Sequence, residues 1–102
     1  MTVAQTFKAL GDPTRLEIVR RLSTGSSHTI TTLSKGLGVS RQGARKQLQV
    51  LVSANIARLE PAGREIRVSL NTSSLAKAQS FIAGLEREWD QRLKALKELT
   101  ER

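Results

Sequence analysis

"VSRQGARKQLQVL", residues 39–51, places Arg41, Arg45 and Lys46 in a segment that also carries Val39, Leu48 and Leu51. Ser40 is a helix cap by residue type, and the spacing predicts a helix from there to about Ala54. Asn55 suits the left-handed residue past its end. On this helix Ala44, Leu48 and Leu51 share a stripe, while Gln42, Arg45, Lys46 and Gln49 fall on the opposite side and Arg41 sits at the exposed first turn. The segment is too basic for an ordinary core helix and too apolar on one side for a free tail. It needs a core behind it and a polyanion in front.

The flanking segments supply that core. "TVAQTFKAL" (2–10) spaces Val3, Phe7 and Leu10 as a short amphipathic helix ending at Gly11. In "GDPTRLEIVRRL" (11–22) Asp12 caps a helix and Pro13 supplies its first turn; Leu16, Val19 and Leu22 line one face, with Ile18 beside them. The role of Arg15, next to this cap, stays open between a carboxylate partner and a phosphate. "STGSSH" (23–28) reads as a loop, with His28 a loop residue. "TITTLSKGLG" (29–38) reads as an extended Thr29–Ile30, then a short helix capped by Thr31 and stopped by Gly38. Ile30, Leu33 and Leu37 point inward, and Gly36 lies inside the helix, where it costs about 1 kcal/mol relative to Ala.

Downstream, "ARLEPAGREIRVSL" (57–70) is a hairpin with Pro61–Ala62–Gly63–Arg64 as its turn and Ile66, Val68 and Leu70 alternating on one face. From about Ser73 the chain reads as one long helix, on which Leu75, Ala78, Ile82, Leu85, Trp89, Leu93, Leu96 and Leu99 step by three or four. Glu88–Arg92, Asp90–Lys94 and Glu98–Arg102 are acid-first i,i+4 pairs.

The totals agree with this division. The chain has 102 residues, one domain by length, and a net charge of +8. Residues 1–71 carry 11 Lys/Arg against 4 Asp/Glu, and residues 72–102 carry 6 against 5, so the excess sits in the first two-thirds. Nucleic acid is the first candidate partner and an anionic membrane surface the second. With 3% aromatic residues the core must be aliphatic, and the long apolar stripe of the last helix exceeds what so small a core can cover. There are no cysteines, which excludes disulfides and thiolate metal sites. No apolar run long enough to span a bilayer and no signal-peptide pattern occurs, so cytoplasm is the expected location and no membrane partner is expected.

Two short helices joined by a Gly-containing turn, the second basic on its outer face, follow the helix-turn-helix plan. Arg41 and Arg45 are the residue type that bridges guanine O6 and N7, and Gln42 and Gln49 the type that bridges adenine N6 and N7. Ser40 and the free amides of the first turn suit a phosphate. The hairpin adds Arg58 and Arg67 on its strands and Arg64 at its tip, placed to follow the backbone or enter a narrow minor groove. Each has a plainer alternative: Lys46 and the arginines as a solvated face, the glutamines as surface helix formers, Arg64 as a solubility aid; Trp89 could line a ligand pocket, but on the apolar stripe of a helix it reads as packing or interface. No nucleophile–base pair, paired carboxylates or phosphate-cradling glycine loop can be assembled, so no catalytic residue, metal site or cofactor is expected.

Over nearly the whole chain the sequence resembles the small winged-helix repressors of the ArsR type, through "FKALGDPTRLEIVRRL", "LGVSRQGARKQLQVL" and "EWDQRLKAL" in order. The resemblance is to the cysteine-free branch, with Trp–Asp in the last helix. It implies a homodimer, a winged fold, binding to an inverted-repeat operator in double-stranded DNA, and repression of its own or a neighbouring operon. The segment that carries a Cys pair in the family's metal sensors is here "TITTLSK", and the only histidine is His28, so neither familiar metal site is present. Gln47 and Arg45 stand where relatives often have His and Ser. The sequence names no effector.

The expected fold is therefore mainly α, a single winged helix-turn-helix domain over residues 1–102 with four helices, a two-stranded hairpin wing and a long C-terminal helix. Residues 1–10 and 73–102 are expected to dimerise through Val3, Phe7, Leu10, Ile82, Leu85, Trp89, Leu93 and Leu96. A sequence-indifferent, chromatin-like DNA binder and a protein-interaction module docking by its last helix remain the alternatives.

Overall fold

A computed structural model describes residues 2–25 and 28–101. Eight elements follow one another: α1 (Val3–Leu10), α2 (Pro13–Leu22), β1 (His28–Thr29), α3 (Ile30–Ser34), α4 (Arg41–Ser53), β2 (Ala57–Ala62), β3 (Glu65–Leu70) and α5 (Thr72–Thr100). Local chemistry sets most boundaries. Asp12 Oδ1 accepts from the amides of Thr14 (2.8 Å) and Arg15 (3.1 Å), with Pro13 at the first helical position. Past the end of α4, Asn55 takes φ 58°, and the amide of Ile56 bonds the Leu51 carbonyl at 2.9 Å while that of Asn55 bonds Val52 at 3.0 Å. These are the two bonds of a Schellman stop, sealed by contact between two fully buried side chains, Leu51 and Ile56.

Ile18, Leu33, Leu51 and Ile56 are the largest fully buried side chains, joined by Leu22, Leu48 and Val68 into one core between the helices and the sheet. The expected inner stripe of α4, Ala44–Leu48–Leu51, is buried as read. That of α2 is not: the buried pair is Ile18 and Leu22, one turn apart, while Leu16 is 52% exposed. Two residues of helix turn through about 200°, so Leu16 and Ile18 cannot share a face.

The wing hairpin forms with Ala57 opposite Leu70, Leu59 opposite Val68 and Pro61 opposite Ile66. Its strands run further than expected, so Pro61 and Ala62 belong to β2 and only Gly63–Arg64 turn the corner; the positive φ is at Gly63 alone. Proline is tolerated because β2 is an edge strand. The sheet has three strands rather than two, in the order β1-β3-β2. His28 pairs with Val68 and Thr29 with Arg67, so His28 is a strand residue, not a loop residue. A two-residue strand has no periodicity to read; β3's free edge recruits it.

Helix α3 is capped by Thr29, not Thr31, through reciprocal Thr29–Thr32 bonds of 2.8 and 3.2 Å. It ends at Ser34, so Gly36 lies outside it at φ 73°, a left-handed turn position rather than a helical one. Arg21 braces this turn. Its Nη1 donates to the carbonyls of Leu33 (2.9 Å) and Lys35 (2.5 Å), and its Nε to Glu17 Oε1 (3.1 Å).

Asn71 caps α5, which spans 29 residues and buries only Ser74 and Ala78 among its side chains. At 1.5 Å per residue it is about 43 Å long, and it stretches the molecule to 69 Å against 25 and 23 Å in the other directions. Its ion pair among the described residues is Lys97–Glu101 at 3.9 Å. The expected Glu88–Arg92 and Asp90–Lys94 pairs do not close, in keeping with the small worth of exposed pairs. Glu98–Arg102 and the Ser26–Ser27 part of the expected loop involve residues outside those described. No described helix is long and apolar enough to cross a membrane.

Hydrogen bonds from Arg20 and then Arg21, aided by their charges, lower the Glu17 carboxyl from 4.5 to about 2. Because the folded chain holds the carboxylate form more tightly than the unfolded one, this contribution is present above about pH 4.5 and drains away as pH falls toward 2. Glu17→Gln should flatten the dependence of unfolding free energy on pH across that window, as measured by urea titrations.

Candidate nucleic-acid interface

Ser40 and Gly43 set the start of the recognition helix. Ser40 Oγ accepts from the Gly43 amide at 3.0 Å, and a Cβ at Gly43 would stand 3.3 Å from that oxygen, so glycine keeps the cap tight. The Ser40 oxygen is thus engaged as the cap's acceptor, and its O–H is left as a donor. With the inner stripe buried, Arg41, Gln42, Arg45, Lys46 and Gln49 all reach solvent.

The hairpin completes a concave face. A cleft of about 480 Å3 is lined by Thr29–Thr32 at the start of α3, by Arg41 and Arg45 of α4, and by Arg64, Glu65 and Ile66 at the hairpin tip. Three arginines from two elements therefore converge. Among the described residues none of the three has a hydrogen-bond or ion-pair partner. The one carboxylate on the rim is engaged elsewhere, since Glu65 Oε2 lies 3.2 Å from Arg67 Nη2. An unpaired guanidinium cluster on an open cleft is a site for anionic oxygens with planar or tetrahedral geometry.

The other expected wing cations are placed differently. Arg58 is exposed opposite Ser69, and Arg67 stands opposite Glu60. These residues share the sheet face that is not apolar, where Ser69 Oγ also donates to Glu60 Oε1 at 3.3 Å. Arg67 is thus tied into the wing. The tip, not the strands, carries the free charge nearest the helix.

Arg15 is the residue whose role sequence left open, and its guanidinium is held by neutral oxygens of the chain rather than by a carboxylate. Its guanidinium donates to the Ala9 carbonyl (2.5 Å), the Lys8 carbonyl (3.3 Å) and Gln47 Oε1 on α4 (2.7 Å). Gln47 is half-buried and turned back toward α2.

At the far end, Ile82 (44% exposed), Leu85 (52%), Trp89 (58%), Leu93 (45%) and Leu96 (53%) form an uncovered apolar stripe along α5. Phe7 packs edge-on against Phe81, ring centroids 6.1 Å apart, so α1 and α5 share this face. Phe81, exposed one residue before Ile82, lies on this face although the sequence does not single it out for the expected seam. Val3 is half-buried, and Leu10 packs on the core.

Comparison with known proteins agrees with this geometry. A family described as a helix-turn-helix domain matches residues 10–60. A solved ArsR-like transcriptional regulator from Rhodococcus sp. RHA1 shares 34% identity over 95% of this chain and 91% of its own, with a TM-score of 0.80. The chain belongs to the ArsR family of winged helix-turn-helix transcriptional regulators. It is a regulator and not an enzyme. The transcriptional repressor BigR from Xylella fastidiosa is 26% identical over 81% of both chains, with a TM-score of 0.62. A homodimeric winged helix-turn-helix DNA-binding domain from Mycobacterium bovis shares the fold at 21% identity, covering 89% of this chain and 81% of its own, with a TM-score of 0.63. Comparison with curated protein sequences gives no match. Among the described residues of this ArsR-family chain no group of three or more His, Cys, Asp or Glu can hold a metal ion.

The contrast between Arg64 and Arg67 is testable. In filter-binding titrations across salt concentrations, Arg64→Ala should lower DNA affinity and reduce the slope of log K on log salt by about 1. Arg67→Ala should change that slope by less than half as much, since its charge is already matched by Glu65.

Proposed function

We propose that the chain is a homodimeric, sequence-specific repressor that binds an inverted-repeat operator controlling its own or a neighbouring operon, in the cytoplasm. The observation that carries this reading is the set of unpaired cations, Arg41, Arg45 and Lys46 on the outer face of α4 with Arg64 beside them, on a molecule whose α5 leaves an apolar stripe uncovered. Residues 1–102 act as one DNA-binding domain. Its dimer forms through α1 and α5, with Val3, Phe7, Leu10, Ile82, Leu85, Trp89, Leu93 and Leu96 at or beside the seam and Phe81 added. The homodimeric relative from Mycobacterium bovis and the repressor from Xylella fastidiosa support the assembly and the sign of regulation.

In the mechanism, a two-fold axis sets two copies of α4 about 34 Å apart, so that both enter the major groove on one face of the duplex. Arg41, Gln42, Arg45 and Gln49 read base edges. Lys46, Arg58 and Arg64 neutralise phosphates, Arg67 adds little because Glu65 already matches its charge, and Ser40 presents the capped first turn to the backbone. A promoter covered in this way is closed to polymerase.

In gel shifts on operator and scrambled duplex, Arg45→Ala should cost about 1–3 kcal/mol on operator and relax sequence preference, whereas Lys46→Ala should weaken both duplexes alike. Equal losses on the two duplexes for Arg45→Ala would refute base reading and favour a sequence-indifferent binder. Leu93→Glu should shift the chain toward monomer in light scattering, because an unpaired carboxylate would be buried at the seam.

A further inference from the structure

Arg15 joins three helices at one point. Its backbone is fixed first, because its amide is one of the two held by the Asp12 cap. Its guanidinium then bonds two carbonyls in the last turn of α1, where the helix has free acceptors and a partial negative charge. The remaining arm reaches Gln47 Oε1 in the middle of α4. A guanidinium is planar and its donors diverge at fixed angles, so three acceptors on two helices constrain the angle between those helices and not only their distance.

The two helices joined in this way have different tasks. Helix α1 moves with the scaffold, because Phe7 is packed on Phe81 of α5. Helix α4 presents the exposed cations and glutamines. Gln47 sits between those two faces of α4, beside the exposed Lys46 and the buried Leu48, and its amide oxygen points back to Arg15 rather than outward. A side chain held like this does not read a base; it orients the helix whose neighbouring residues do.

We propose that Arg15 and Gln47 are positioning residues that fix the pitch of the recognition helix on the dimer scaffold, and so determine the half-site spacing the protein accepts. The proposal rests on the homodimeric operator reading above. Two-fold symmetry gives the joint its leverage: any tilt of α4 against α1 is repeated with opposite sense in the second copy, so an angular change at each joint becomes a change in separation across the operator. Base identity at each half-site is left to the exposed face of α4.

The test uses an operator recovered by selection of bound genomic fragments, rebuilt with its half-sites moved apart or together by single base pairs, alongside a duplex carrying one half-site. Wild-type protein should lose affinity when the spacing changes by one pair, because the second recognition helix no longer meets its groove in register. Gln47→Leu should bring that affinity ratio close to one and leave single half-site binding unchanged. Gln47→Glu keeps an acceptor for Arg15 and should retain the wild-type spacing optimum. Arg15→Lys, which keeps the charge but loses the fork, carries the same comparison if Gln47→Leu does not fold. A spacing ratio that survives Gln47→Leu, or one that falls only in step with half-site binding, overturns the proposal alone. Wild-type protein indifferent to spacing overturns the inverted-repeat reading, and this extension with it.

Discussion

A leucine, isoleucine or tryptophan every third or fourth residue along α5, continuing past the edge of the chain's own core, is the constraint on which the rest depends. From Leu85 to Leu99 no residue of that helix is buried within the protomer. Leaving such a stripe in water forfeits on the order of 25 cal/mol for every Å2 that a partner would cover. A second copy is the partner the proposed function requires, since an isologous contact presents the same stripe to itself. In the proposed dimer α5 is fixed against its mate, and α1 follows through the Phe7–Phe81 contact, α2 through the short Gly11–Asp12 link, and α4 through packing of its buried stripe on the core. The position of the basic face in space is thus a consequence of where an apolar helix finds cover.

The charges are arranged by the same economy of partners. Residues 1–71 contain four acids, and each is engaged away from the recognition helix. Asp12 caps α2, Glu17 holds Arg20 and Arg21, Glu60 takes the Ser69 hydroxyl, and Glu65 takes Arg67. Structural arginines are matched by carboxylates or carbonyls. Arg41, Arg45, Lys46 and Arg64 are not, and they lie on or beside one cleft. Net charge alone permits a nonspecific polyanion binder. What separates a shaped interface from a sticky surface is that Arg41, Arg45 and Arg64 converge on one cleft while Arg15, Arg20 and Arg21 are held by acceptors of the chain itself.

Much of this was legible in the sequence because it is local. Asp12–Pro13, Ser40 and Asn55 announce helix ends by chemistry acting within three or four residues, and the four-residue steps of α5 repeat often enough to be unmistakable. The errors fall where local signals are short or tertiary contact decides. Five-residue α3 has too few turns for its pattern to place the cap, so residue type points to Thr31 where the structure uses Thr29, and to a helix that includes Gly36. Strand β1 exists only because β3 has a free edge. Leu16 looked like core by residue type but lies on the wrong side of α2. Within the candidate site the residues of α4 could be read from helical period alone. The convergence of Arg64 on Arg41 and Arg45, the capture of Arg67 by Glu65 and the link from Arg15 to Gln47 each join positions far apart in the chain. No spacing rule reaches that far.

The separation of the two copies of α4 is directly measurable, because the chain has no cysteine of its own. A single spin label on Gln42→Cys, at the exposed start of α4, reports the separation of the two recognition helices in the unbound protein by pulsed dipolar spectroscopy. The labels should give one population centred near 34 Å, allowing for their arms. Absence of a dipolar signal at concentrations where light scattering shows a dimer, or a separation far from that of successive major grooves, would contradict it.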